Sequence, residues 1–138
     1  MAVTGSRREA RERALGLCYE LEVRDLGVDT LIEQQPAPPD AYAERLVRGV
    51  EEHHADVDAL LRKFSEHWAL ERMPAVDRAV LRLAAYELGW EPDIPSAVVI
   101  SEAVELAKQY STKDSGRFVN GLLSRVAQEL RPAGTADS

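Results

Sequence analysis

The sequence predicts an all-α chain of about seven helices, and three observations carry that prediction. Apolar residues recur at three- and four-residue steps through nearly every segment. No stretch alternates with period two, as a half-buried strand would. Prolines and glycines fall between the periodic segments and cut them into helix-sized lengths.

Met1 to Gly5 reads as a loose tail, and Ser6 can cap a helix running to about Arg24 and stopping near Gly27. Its buried face is Ala10, Ala14, Leu17, Cys18 and Leu21. At about 100° per residue, Arg7, Arg8, Arg11, Leu15 and Tyr19 share one flank of about 120°, while Arg13 points elsewhere beside Glu9. A short helix follows from Val28 to Gln35. Pro36, Pro38 and Pro39 end it, and Asp40 can cap the next.

From Tyr42 to Trp68 the apolar period runs through Leu46, Val47 and Val50, then Val57, Leu60, Leu61, Phe64 and Trp68. The polar interval at Glu51 to Asp56 predicts two helices with a bend between them. Pro74 suits the start of another, whose apolar positions Val76, Val80, Leu81, Leu83, Ala84 and Leu88 make it the central helix, ending near Gly89. Asp77, Arg78 and Arg82 are placed on its outer side. Tyr86 and Glu87 read equally as partner contacts or as surface.

Pro92 and Pro95 bracket a loop. Ile100, Ala103, Val104, Ala107 and Tyr110 then mark a helix that begins at Ser96 or at Ser101, since the β-branched run Val98–Ile100 favours extended chain. Ser111 to Gly116 is a polar turn, and Asp114 or Ser115 is placed to cap the last helix. Phe118, Val119, Leu122, Leu123, Val126 and Leu130 form that helix's stripe. Gly121 interrupts it at a cost of about 1 kcal/mol against Ala. A glycine kept there reflects either a packing contact or the close approach of a ligand. The segment after Arg131 has the composition of a tail.

At 138 residues the chain is one domain with a mainly aliphatic core, hydrophobic residues being 45% and aromatics 6%. Apolar runs are too short for a membrane span, and no signal peptide opens the sequence. The single cysteine, Cys18, fits a reducing, cytoplasmic setting and reads as buried filler. The net charge of −7 argues against nucleic acid until its distribution is considered. Residues 1–25 carry five basic and five acidic groups, as do residues 95–138, whereas residues 26–94 carry seven basic and fourteen acidic. The ends can bind an anion while the middle repels it or meets a basic protein.

No Walker loop, CxxC, HExxH or GxGxxG is present, so neither enzyme chemistry nor a cofactor is indicated. Glu102 and Glu105 read as surface charge near Lys108. His53, His54 and Asp56 lack the four-residue spacing of metal ligands and read as solvated surface. Single-stranded RNA needs cations along its backbone and planar groups beneath its bases. Arg7, Arg8 and Arg11 can supply the first; Lys113, Arg117 and Phe118 can supply both. Phe118 is equally suited to burial against Leu122.

Three blocks, REARERALGLCYEL at 8–21, PAVDRAVLRLAAYEL at 74–88 and VVISEAVELAKQYSTKDSGRFVNGLL at 98–123, resemble the NusB family of bacterial transcription antitermination factors. The resemblance covers most of the chain and implies two small helical bundles packed together. It implies a protein without catalysis that binds boxA RNA together with NusE, a small ribosomal protein. Through other Nus factors such a complex loads on elongating RNA polymerase and suppresses termination in rRNA operons. RNA contact is implied at Arg7, Arg8, Arg11, Asp114, Ser115 and Phe118, and NusE contact at Tyr19 and Asp77. Glu9 breaks the family's opening arginine run, and Gly116 and Arg117 depart from its commoner residues. The residues leave open a monomer or a homodimer. Two alternatives stand beside this reading: an adaptor that binds NusE alone, and the detached RNA-targeting module of an rRNA cytosine methyltransferase, whose fold is similar.

Overall fold

The computed structural model describes residues 6–65 and 69–132. The expected tails, apart from Pro132, and the apolar position Trp68 lie outside the described residues. Among the described residues there are seven α-helices, one short 3-10 turn and no strand.

The first helix, α1 (Arg7–Arg24), starts where Ser6 and Glu9 cap each other. The Ser6 hydroxyl accepts from the Glu9 N–H at 3.1 Å, and the Glu9 carboxylate accepts from the Ser6 N–H at 2.8 Å. It ends at Asp25 in the left-handed region, φ 53°. Helix α2 (Val28–Gln34) precedes the prolines, and Asp40 caps α3 (Ala41–Glu52) by accepting from the Ala43 N–H. The expected bend falls at His53, where α4 (His54–Phe64) begins. Pro74 leads into α5 (Ala75–Trp90), which runs one residue past Gly89.

Of the two starts open for α6 (Ser96–Tyr110), the earlier is found, with Pro95 at its N-cap. Helix α7 (Lys113–Leu130) corrects the expected turn. Its cap is Thr112, whose Oγ1 accepts from the Ser115 N–H at 3.0 Å, so Asp114 and Ser115 lie inside the first turn. A polar run reads as turn chemistry until a hydroxyl two residues earlier takes the capping role.

Helices α1–α3 form one bundle and α4–α7 the other; α5 runs through the middle and packs on α1, α3, α4, α6 and α7. Where α3 crosses α5, Gly49 makes the approach possible: a Cβ there would meet the Tyr86 ring at 2.2 Å. Tyr86 and Glu87 are both buried, so neither is ordinary surface. His53 is likewise not solvated surface, because its ring stacks on Trp90 at 4.4 Å. Arg131 fastens the end of α7 to the α5–α6 connection. Its guanidinium donates to the carbonyls of Leu88, Glu91 and Ile94 at 3.1, 3.0 and 2.6 Å. The Leu88 carbonyl belongs to the last turn of α5, where helical partners run out, and the other two lie in the connection, that of Glu91 also accepting from the Ile94 N–H at 3.1 Å.

Candidate nucleic-acid interface

Capping by Ser6 sets α1's first turn and puts Arg7 and Arg8 at its exposed start. The Arg7 guanidinium lies 3.7 Å from the centroid of the Tyr42 ring. That stack holds a planar cation at the surface without consuming its hydrogen-bond donors. Arg8 is exposed but engaged: its Nε and Nη2 donate to the two Glu102 oxygens at 3.0 and 2.7 Å. Those bonds, with the charge of Glu102, raise the Arg8 pKa above its ordinary value.

Arg11 is a correction. The sequence places it on an exposed flank with Arg7 and Arg8, yet its side chain is only 5% exposed. It donates three hydrogen bonds to Glu87, at 3.0, 3.1 and 2.8 Å, and the Tyr42 hydroxyl donates a fourth at 2.6 Å. Burial alone would lower the Arg11 pKa; the Glu87 carboxylate more than offsets it and holds the group charged. The expected flank is therefore divided. Arg7 and Arg8 face outward, and Arg11 holds α1 to α5.

Asp77 is a second correction. Instead of riding the outer side of α5 it is buried beneath α7's first turn. The Ser115 hydroxyl donates to its Oδ2 at 2.8 Å, and the Ser111 and Thr112 hydroxyls sit 3.1 and 3.0 Å from the same Ser115 oxygen. Its Oδ1 is buried with no hydrogen-bond partner among the described residues. Ser115 is buried with it, and the two reach the surface only at the lining of the hollow beside Phe118. What the turn does present is Lys113, Asp114 and Arg117, all exposed, with Arg117 3.7 Å from Asp114.

Phe118 is half-buried and packs against the core, yet it also lines a hollow of about 290 Å³ with Met73, Pro74, Thr112 and Asp114. The burial reading thus holds in part, and the rest of the ring is left at the hollow. On the other side of α5's start, Tyr19 and Tyr110 flank an apolar hollow of about 350 Å³ floored by Leu15 and Val76. Tyr19 is 39% exposed and Tyr110 48%, so large apolar surface is left uncovered at this hollow.

Chemically, the face offers exposed guanidinium and ammonium groups, a ring edge and a helix N-terminus, the groups that hold phosphates and unstacked bases. Among the described residues no cluster of side chains suits a metal ion, and no helix is long and apolar enough to cross a membrane. Sequence reasoning missed Tyr42 and Glu87 as parts of this face. The available signal was an acid on the apolar stripe of the central helix, four residues past Leu83.

Residues 8–128 match the NusB family. The chain is 47% identical to the transcription antitermination protein NusB of Thermobifida fusca over 129 residues, covering 91% of each. Its fold is similar to that of T. maritima NusB, with a TM-score of 0.84 at 39% identity, covering 94% of this chain and 96% of that one. It is also similar to a chain in a crystal structure of the antitermination factors NusB and NusE in complex with dsRNA. There the TM-score is 0.76 at 28% identity, over 89% of this chain and 96% of the other.

Proposed function

Because the chain belongs to the NusB family, we propose that it is a transcription antitermination factor that works by binding rather than by catalysis. It holds boxA-type single-stranded RNA together with NusE, and with other Nus factors delivers both to elongating RNA polymerase in rRNA operons, in the cytoplasm. The observation that carries this reading is the start of α7, where the half-buried Phe118 ring lines its hollow and exposed Lys113 and Arg117 stand on the adjoining flank of the same turn. The cations take backbone phosphates, the ring supports one base, and the N-terminal dipole of α7 adds to both. Arg7 and Arg8 extend the contact along α1. Arg11 serves it indirectly, through Glu87 and Tyr42. The Tyr19–Tyr110 hollow takes NusE, and Asp77 acts from beneath by fixing the α7 turn.

The engagement of Arg8 by Glu102 and the burial of Arg11 favour a second reading, an adaptor that binds NusE with little RNA affinity of its own. Titrating boxA-like RNA with and without NusE separates the two. Binding by the chain alone, enhanced by NusE and weakened by salt, supports the first. RNA retained only through NusE supports the second, and no RNA in either case defeats the proposal.

A further inference from the structure

Beyond the Phe118 hollow lies a second, larger groove, of about 620 Å³, between α6 and α7. It occupies the opposite flank of α7. By helical period Asp114, Ser115 and Phe118 face the hollow, whereas Lys113, Arg117, Asn120 and Ser124 face the groove. Its floor is aliphatic, from Ile100 and Val104, and its rim is cationic. Lys108, Lys113 and Arg117 stand there against Glu105, 3.7 Å from Lys108, and Asp114, 3.7 Å from Arg117 on the far side, in a chain whose net charge is −7. A positive trough on an acidic protein selects polyanions by local field. The trough also shares Lys113 and Arg117 with the α7 turn.

Gly121 supplies an independent observation. It is exposed within α7, and a Cβ built there would meet nothing within 4 Å, so no contact among the described residues explains it. A helical side chain leans toward the preceding turn, over the residues three and four positions earlier. Here those are Phe118 and Arg117. The missing side chain leaves bare backbone on the ridge that separates the hollow from the groove.

We propose that this ridge is a crossing point. Single-stranded RNA with one base at Phe118 passes over Gly121 and continues along the α6–α7 groove. There its phosphates meet Lys108, Lys113 and Arg117, and a base rests on Ile100 and Val104. This rests on the RNA-binding reading above and adds to it a second subsite with its own residues, Lys108, Asn120 and Gly121. The aliphatic floor supports stacking without distinguishing bases, so the subsite favours length over sequence.

The test compares RNA affinity for strands of about four and about twelve nucleotides, a range that single-strand sites span. Gly121→Leu fills the ridge, its Cβ meeting nothing within 4 Å among the described residues, and should weaken the longer strand tenfold or more while leaving the shorter within twofold and the melting temperature undiminished. Lys108→Gln should reduce the log–log salt slope for the longer strand by about 0.7. If Arg7→Gln and Phe118→Ala weaken RNA binding while both groove variants leave the longer strand unaffected, the crossing is refuted and the RNA reading stands. If none of the four variants changes RNA binding, both fall. Loss of NusE affinity alone in Gly121→Leu would give the groove to the protein partner and overturn the proposal.

Discussion

Replacing Arg11 with Met tests the division of the α1 arginines most directly. Met keeps the length of the stem and removes the charge. Glu87, whose side chain is 2% exposed, then loses three hydrogen bonds and its counter-charge and keeps only the Tyr42 hydroxyl. Breaking a buried pair from one side costs about 3–5 kcal/mol. For a chain of this size that lowers the melting temperature by roughly 10–20 °C. The second leg of the cycle is Arg11→Met with Glu87→Gln, which retains an acceptor for Tyr42 and leaves no unpaired charge. It should recover more than half of the loss, because most of the penalty belongs to the stranded carboxylate. Thermal and urea melts of the wild type, both single variants and the double supply the four corners. A loss below about 1 kcal/mol for Arg11→Met, together with a reduced salt slope in RNA binding, would return Arg11 to the surface and refute the reasoning.

Asp77→Lys should fail as a surface change: an ammonium beneath α7 lacks any partner, and the loss should approach the same 3–5 kcal/mol in a urea melt, whereas Ser115→Ala should cost about 1–3. Burial pushes the Cys18 thiol up to about 12, so the native protein should resist iodoacetamide at neutral pH and react only on unfolding. The Arg8 hydrogen bond holds the Glu102 carboxyl below its ordinary value. That pair therefore adds stability that is full above about pH 4.5 and lost as pH falls through the lowered pKa. Being largely exposed at Arg8, the pair is screened by solvent and its increment is small, and acid titration of Glu102→Gln should lack it. The same variant releases Arg8 and should tighten RNA binding.

Helix existence was legible because an apolar face must repeat with the turn, and Ser6 and Asp40 announced their helices with side chains that can only cap. Partnership was not. Periodicity tells which residues share a face but not what stands opposite. Arg11 lies four residues before Leu15 and seven before Cys18, both buried, and its stripe already pointed inward. Only the position of Glu87 across the bundle makes that burial affordable to a guanidinium. Asp77 repeats the lesson, since its partner Ser115 is 38 residues away in a turn the sequence presented as loop. The exposed members, Arg7, Arg8, Lys113 and Arg117, were legible as cations near chain segments without strong apolar demand. Tyr42 was not, because a tyrosine opening a helix gives no sign that an arginine from another helix will lie on it.

Arg131 carries a consequence for the order in which the molecule can be completed. The carbonyls it satisfies were laid down roughly forty residues earlier, at the end of α5 and in the loop after it. While a ribosome is still making α7, the Leu88 and Ile94 carbonyls lack this donor, and the Glu91 carbonyl keeps the Ile94 N–H. The C-terminal bundle must therefore wait for the last turn of its last helix before its own centre is closed, and until then α5 presents an unfinished end. Long-range closure of this kind slows folding more than it weakens the product. The fastener of the middle of the fold arrives after everything it fastens.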